Sequence, residues 1–212
     1  MRALAILLIC VLAPAIAQEK TSTPAVASQD NPFSAWNKRT YGLVNKILLG
    51  YAEKMPEENY SFKPTEAVRS YGEVIGHIAE SQYFFCSIVL DEKNPAPKIE
   101  KTRTSKADLI AALKDAFAYC DKAYNGMTDA TGAQIVKLMG TDTPKLSVLF
   151  ANLQHTAGHR GNLVTYLRMK NIVPPSSDPE FMQEVIKNDG ALVQPRAWQR
   201  SYELTPQQRD DA

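Results

Sequence analysis

Apolar residues recur at helical spacing along four long stretches of the chain. The first runs from about Pro32 to Met55, with Phe33, Trp36, Tyr41, Val44, Ile47, Leu48 and Tyr51 forming the stripe. Asn31 stands at its N-cap, Pro32 at its first position, and Pro56 ends it. The second starts near Pro64 or Thr65 and reaches about Leu90, with the aromatic cluster Tyr83, Phe84 and Phe85 on it. The third begins at Ser105, whose spacing to Asp108 is that of a capping box, and stops at Gly126. The fourth and longest is capped by Thr143, opens on Pro144 and closes at Pro174-Pro175. The fold class these stretches predict is all-α, a four-helix bundle spanning residues 32–188.

The connections carry information too. The segment PEENYSFKP is turn-like, with Tyr60 and Phe62 placed to pack over one end of the bundle. Residues 91–104 hold two prolines and several charges. Extended, such a loop spans on the order of 45 Å, the length of a helix, so helices 2 and 3 need not form a tight antiparallel hairpin. Ala133–Met139 is a short turn or a strand. After the Pro-Pro stop, Asp178 and Pro179 open a short helix to about Lys187. Residues 189–212 read as a polar tail in which Trp198 and Tyr202 are the anchoring candidates.

The N-terminus changes the picture of where the bundle works. Residues 1–17 combine one Arg, an apolar run and a small-x-small site before Gln18, the pattern of a secretory signal peptide. The run is short for a membrane span, and Cys10 lies inside it rather than at a lipoprotein cleavage site. Residues 18–31 read as a flexible leader. The expectation is a bacterial periplasmic or secreted protein, free of the membrane after cleavage. Without residues 1–17 the chain balances 23 basic against 23 acidic residues, which argues against a nucleic-acid partner. Two cysteines remain, Cys86 and Cys120. Counted along their predicted helices they lie at different depths, so two buried free thiols are expected rather than a disulfide.

The candidate chemistry lies in three histidines, His77, His155 and His159. On a helix, residues four apart differ by about 40°, so His155 and His159 share one face a turn apart. His77 sits about twelve residues into the second helix and His155 about eleven into the fourth, so they meet at similar height. Three neutral imidazoles with open positions left over are the donor set of a catalytic metal, Zn²⁺ first, then Ni²⁺ or another divalent ion. Thr156, Ala157 and Gly158 separate the pair, so this is not the HExxH motif. Asn152, Asn162 and Tyr166 fall near the His155 face, Ser70, Ser81 and Glu73 near that of His77, with Glu80 slightly farther round. Glu73 and Glu80 are the candidate catalytic bases; their bland alternative is a solvated or helix-capping carboxylate.

The segments GHIAESQYFFCS and LQHTAGHRGNLVTYLRMKNIVPPSS resemble the two signature regions of the DinB-like (DinB/YfiT) superfamily. The resemblance covers roughly residues 33–177. It implies a four-helix bundle with a long crossover between helices 2 and 3, a metal site at His77, His155 and His159, and frequent homodimerisation. It implies no single reaction: relatives include thiol-dependent S-transferases and isomerases. A signal peptide departs from the cytosolic members and argues against a cytosolic thiol cosubstrate. Two readings follow. One is a secreted metalloenzyme, of hydrolase or transferase type, whose site activates water or a thiol for a small-molecule substrate. The other is a bundle that binds a metal or small ligand without turnover.

Overall fold

The computed structural model of the chain describes residues 30–189. The readings made for the signal segment, for most of the leader and for Trp198 and Tyr202 lie outside the described residues. Four long helices dominate: α1 (Pro32–Lys54), α2 (Tyr71–Leu90), α4 (Lys106–Asn125) and α6 (Lys145–Met169). Between them come the single-turn helices α3 (Ile99–Thr102) and α5 (Asp129–Gly132), then strands β1 (Ile135–Leu138) and β2 (Thr141–Pro144). Helix α7 (Pro179–Asp189) follows α6. Among the described residues no helix is long and apolar enough to cross a membrane.

Directions follow from which residues meet. Tyr83 meets Tyr119, and Cys86 meets Cys120, so α2 and α4 are parallel. His77 meets His155 while Tyr71 meets Tyr166, so α6 is antiparallel to α2. α1 packs on α4 and α6 and closes the bundle. Parallel neighbours need a connection that returns the length of a helix. The crossover carrying α3 is that connection, as the Pro-interrupted loop predicts.

The core is built from Leu48, Tyr51, Met55, Ile75, Ile78, Leu109, Leu113, Leu149, Leu163 and Leu167, all fully buried. Buried tyrosines bring hydroxyls that need acceptors. Tyr71 donates to the Tyr51 carbonyl at 2.7 Å, Tyr124 to that of Leu149 at 2.8 Å, and Tyr41 to that of Phe117 at 3.1 Å. Burial pushes all three phenols far above their usual range, with the hydroxyls firmly protonated at working pH.

The start of α2 differs from the sequence reading by about six residues. Ser70 and Glu73 form a reciprocal capping box: the Ser70 hydroxyl accepts from the Glu73 N–H at 3.2 Å, and the Glu73 carboxylate accepts from the Ser70 N–H at 2.6 Å. The carbonyls of Phe62 and Tyr60 take the next two N–H groups, those of Tyr71 and Gly72. With these donors satisfied the helix begins at Tyr71, and Pro64 stays outside it.

That shift corrects the cysteines. Cys86 lies fifteen positions past Tyr71, and Cys120 fourteen past Lys106, so on parallel helices they stand at one height. They form a disulfide with Cα atoms 5.3 Å apart, and the expectation of two free thiols is overturned. Counting from Pro64 placed Cys86 too deep.

Three smaller readings also change. Phe33 and Trp36, assigned to the stripe of the first helix, are 71 % and 61 % exposed, because the face that α1 buries there carries Ser34, Asn37 and Tyr41. Asn31 stands at the N-cap of α1 as expected, but its side chain makes no capping bond; Asp129 from α5 supplies it, accepting from the N–H groups of Phe33 at 3.2 Å and Ser34 at 2.7 Å. Thr143 lies in β2 rather than capping the last long helix, its hydroxyl bonded to the Thr141 carbonyl. The undecided segment 133–139 contributes β1 to an antiparallel hairpin whose turn holds Met139 and Gly140 at φ 50° and 87°.

Candidate metal centre

The antiparallel packing of α2 on α6 sets His77 against His155 and His159. Their Nε2 atoms converge: His77 to His155 at 3.1 Å, His159 to His155 at 3.2 Å. One ligand atom from each of the three lies within 4.8 Å of the others. Four tetrahedral ligands at about 2.0–2.1 Å from a zinc ion stand roughly 3.3 Å apart, so this convergence fits the donor set of one divalent ion. Together the three histidines could hold a metal ion.

The electrostatics favour neutral imidazoles. Burial, reinforced by the neighbouring rings of His159 and His77, pushes the His155 imidazole down to about 4. Burial likewise lowers His159, with His77 and Arg69 adding to it. His77 is lowered by burial and by Arg69, against the opposing pull of Glu100. Neutral rings keep the lone pairs that a cation needs.

One prediction follows for the metal-free protein. Each imidazole binds protons less readily folded than unfolded, so the unfolded chain holds more protons below the unperturbed value near 6.5. Stability should therefore fall as pH drops from about 6.5 toward about 4, the value for His155, and be independent of these groups above that window. Urea midpoints of wild type and His155→Gln across this range provide the check. The wild type should lose more; parallel curves would contradict the burial argument.

The ligands are not equally braced. His77 Nδ1 lies 3.0 Å from Glu100 Oε2, whereas the Nδ1 atoms of His155 and His159 are buried with no hydrogen-bond partner. Glu100 belongs to α3 on the crossover. Its other oxygen accepts from Arg69 Nε at 2.8 Å, and its backbone N–H donates to Glu80 Oε2 at 3.2 Å. Sequence reasoning missed Glu100, because an isolated acid in an aperiodic loop leaves no spacing signal; the crossover's length was the one available hint.

Of the two candidate bases, Glu73 lies in the cleft and Glu80 lies under the crossover. Glu73 lines the same cleft as His159, but its carboxylate is committed to the α2 cap and lies 3.6 Å from Lys63. The Ser70 N–H, with Lys63 assisting, holds it below the usual carboxylate range. Glu80 supports the backbone of Glu100. Of the residues placed near the histidine face, Asn162 and Tyr166 line the cleft, the Tyr166 hydroxyl donating to the Arg69 carbonyl at 2.8 Å. Asn152 does not: it is fully buried in the core, donating to Gln82 Oε1 at 2.8 Å. Ser70 is used as a cap and Ser81 is buried. The cleft beside the histidines holds about 510 Å³ and is lined by Lys63, Arg69, Glu73, Glu100, Asn162 and Tyr166 among others.

A parallel–antiparallel helical bundle with a trio of converging imidazoles beside an open cleft defines the class. The chain belongs to the DinB superfamily, whose family model matches residues 43–163. Over 123 residues it is 28% identical to the uncharacterised protein YjoA of Bacillus subtilis (strain 168), a match covering 55% of this chain and 77% of YjoA. The fold is similar to that of a solved DinB-like protein from Bacillus cereus ATCC 10987, with TM-score 0.56 at 18% identity over 66% of this chain and 91% of that one. It is also similar to the solved structure of YjoA, with TM-score 0.51 at 24% identity over 66% and 93%.

Proposed function

We propose that the protein is an exported metal-dependent enzyme of hydrolase or transferase type, with His77, His155 and His159 holding one divalent ion, Zn²⁺ before Ni²⁺. The observation that carries this reading is the convergence of three neutral Nε2 atoms, with His159 lining an open cleft. A divalent ion there would supply Lewis-acid activation of a water or a thiol. The chain's own residues do the rest. The half-buried imidazoles stay neutral and aimed, Glu100 holds one ring, and the cleft walls of Arg69, Asn162 and Tyr166 offer polar groups to a small substrate. Glu73 and Glu80 stay the candidate bases, each with one oxygen engaged, Glu73 at the α2 cap and Glu80 at the crossover.

An open coordination position separates this reading from a non-catalytic metal-binding bundle. Cobalt(II)-loaded protein tests it: adding a small thiol should change the visible absorption bands as the thiol enters the coordination sphere. Unchanged spectra at saturating thiol would favour the filled, non-catalytic site.

The export part of the reading rests on the signal-like residues 1–17 and gains support from the Cys86–Cys120 disulfide, a bond that persists in oxidising compartments. N-terminal sequencing of protein recovered from the cell envelope should begin near Gln18. An intact Met1 on cytoplasmic protein would contradict it.

A further inference from the structure

Metal-binding histidines are commonly held by an acceptor on the ring nitrogen away from the metal, which fixes tautomer and orientation. Here His77 has a carboxylate on that nitrogen, and it comes from outside the four long helices. Glu100 reaches His77 because the crossover lies directly on α2. Gly76, one residue before His77, makes that approach possible: a Cβ there would stand 2.9 Å from Glu100 Cα and 3.4 Å from Glu100 N. Those are backbone atoms, so any larger residue would drive the segment outward. Two further contacts hold Glu100, the Arg69 guanidinium donating to its second carboxylate oxygen and its backbone N–H donating to the Glu80 carboxylate. Both Glu100 oxygens are thus assigned, one to each partner.

We propose that Glu100 is a positioning residue of the histidine site: with Gly76 granting the approach and Arg69 fixing the carboxylate, it accepts from His77 Nδ1–H and so keeps the His77 Nε2 lone pair turned toward the point on which the Nε2 atoms of His155 and His159 also converge. The inference rests on the metal reading above for its consequence, but the tautomer itself is a property of the metal-free protein. It also gives the crossover a task besides connecting parallel helices.

The experiment measures Zn²⁺ affinity by competition with a chromophoric chelator for wild type, Glu100→Ala, Glu100→Gln and Gly76→Ala. Glu100→Ala should weaken binding about 10- to 100-fold. Glu100→Gln keeps an acceptor oxygen and should recover much of the loss. Gly76→Ala leaves every ligand and Glu100 itself in the chain, yet should weaken binding by displacing the crossover. Thermal midpoints of the apo variants identify any that fail to fold. A second readout, the ¹⁵N shifts of His77 in metal-free protein, should show Nδ1–H in wild type and a mixture of tautomers in Glu100→Ala. Affinity of Glu100→Ala within twofold of wild type would overturn the proposal, as would an Nε2–H His77 in wild type. If wild type binds no zinc, the metal reading fails, while the His77 tautomer still decides for or against Glu100.

Discussion

Replacing His155 with Ala should remove most of the bound metal. His155 is the middle ligand, since its Nε2 contacts both other Nε2 atoms at 3.1 and 3.2 Å. Two nitrogens and solvent hold a divalent ion far less well than three nitrogens, so the loss should reach orders of magnitude in Kd. The bundle should survive, because its core consists of apolar side chains and tyrosines whose hydroxyls find backbone acceptors without the site. Removing a half-buried imidazole also relieves the metal-free protein of a group that burial holds far below its usual range. Metal quantification after dialysis, with circular dichroism on the same samples, checks both halves. Undiminished stoichiometry in the variant would place the ion elsewhere. Cooperative unfolding of stripped wild type at ordinary temperature would make the metal a staple and remove most of the support for an enzyme.

Breaking the Cys86–Cys120 bond should cost the fold about 4 kcal/mol. The bond closes a loop with a sequence separation of 34, and the chain-entropy relation gives that magnitude for a loop of such length. In a domain of this size the loss corresponds to a fall of about 8–16 °C in Tm. The bond joins the parallel helices α2 and α4 across the crossover and so limits how far the unfolded chain can separate them. Both cysteines are fully buried, and reductant should reach them only when the bundle opens. The Cys86→Ala/Cys120→Ala variant avoids that barrier. Equal urea midpoints for the variant and oxidised wild type would show that the bond contributes nothing to stability.

Much of the architecture was legible because it depends on periodicity and punctuation. Pro32, Pro56, Ser105 and Gly126 mark the ends of α1 and α4 within a residue or so, and the fourth-residue spacing of His155 and His159 survives in any helix. What failed depended on contacts distant in sequence. Pro64 looks like a helix start, yet the start is decided by carbonyls of Tyr60 and Phe62 folding back onto Tyr71 and Gly72. That one misplacement concealed the disulfide, and it also set His77 about twelve residues into α2, where it lies six past Tyr71. Asp129 outcompetes Asn31 for the N-terminus of α1 from almost a hundred residues away. Asn152 shares the angular sector of His155, but it lies nearly a turn nearer the N-terminus of α6, where Gln82 and Tyr124 enclose it. Glu100 could not be found by spacing at all, since its place depends on Gly76 admitting a backbone from another segment.

The central claim is that three imidazoles from two helices form one metal centre. Anomalous scattering from crystals of metal-loaded protein, recorded at the absorption edge of the bound ion, addresses it most directly. The account predicts a single strong peak per chain, bounded by the Nε2 atoms of His77, His155 and His159, at about 2.0–2.1 Å from each if the ion is zinc. A peak at other residues, or none between the three rings, would contradict it.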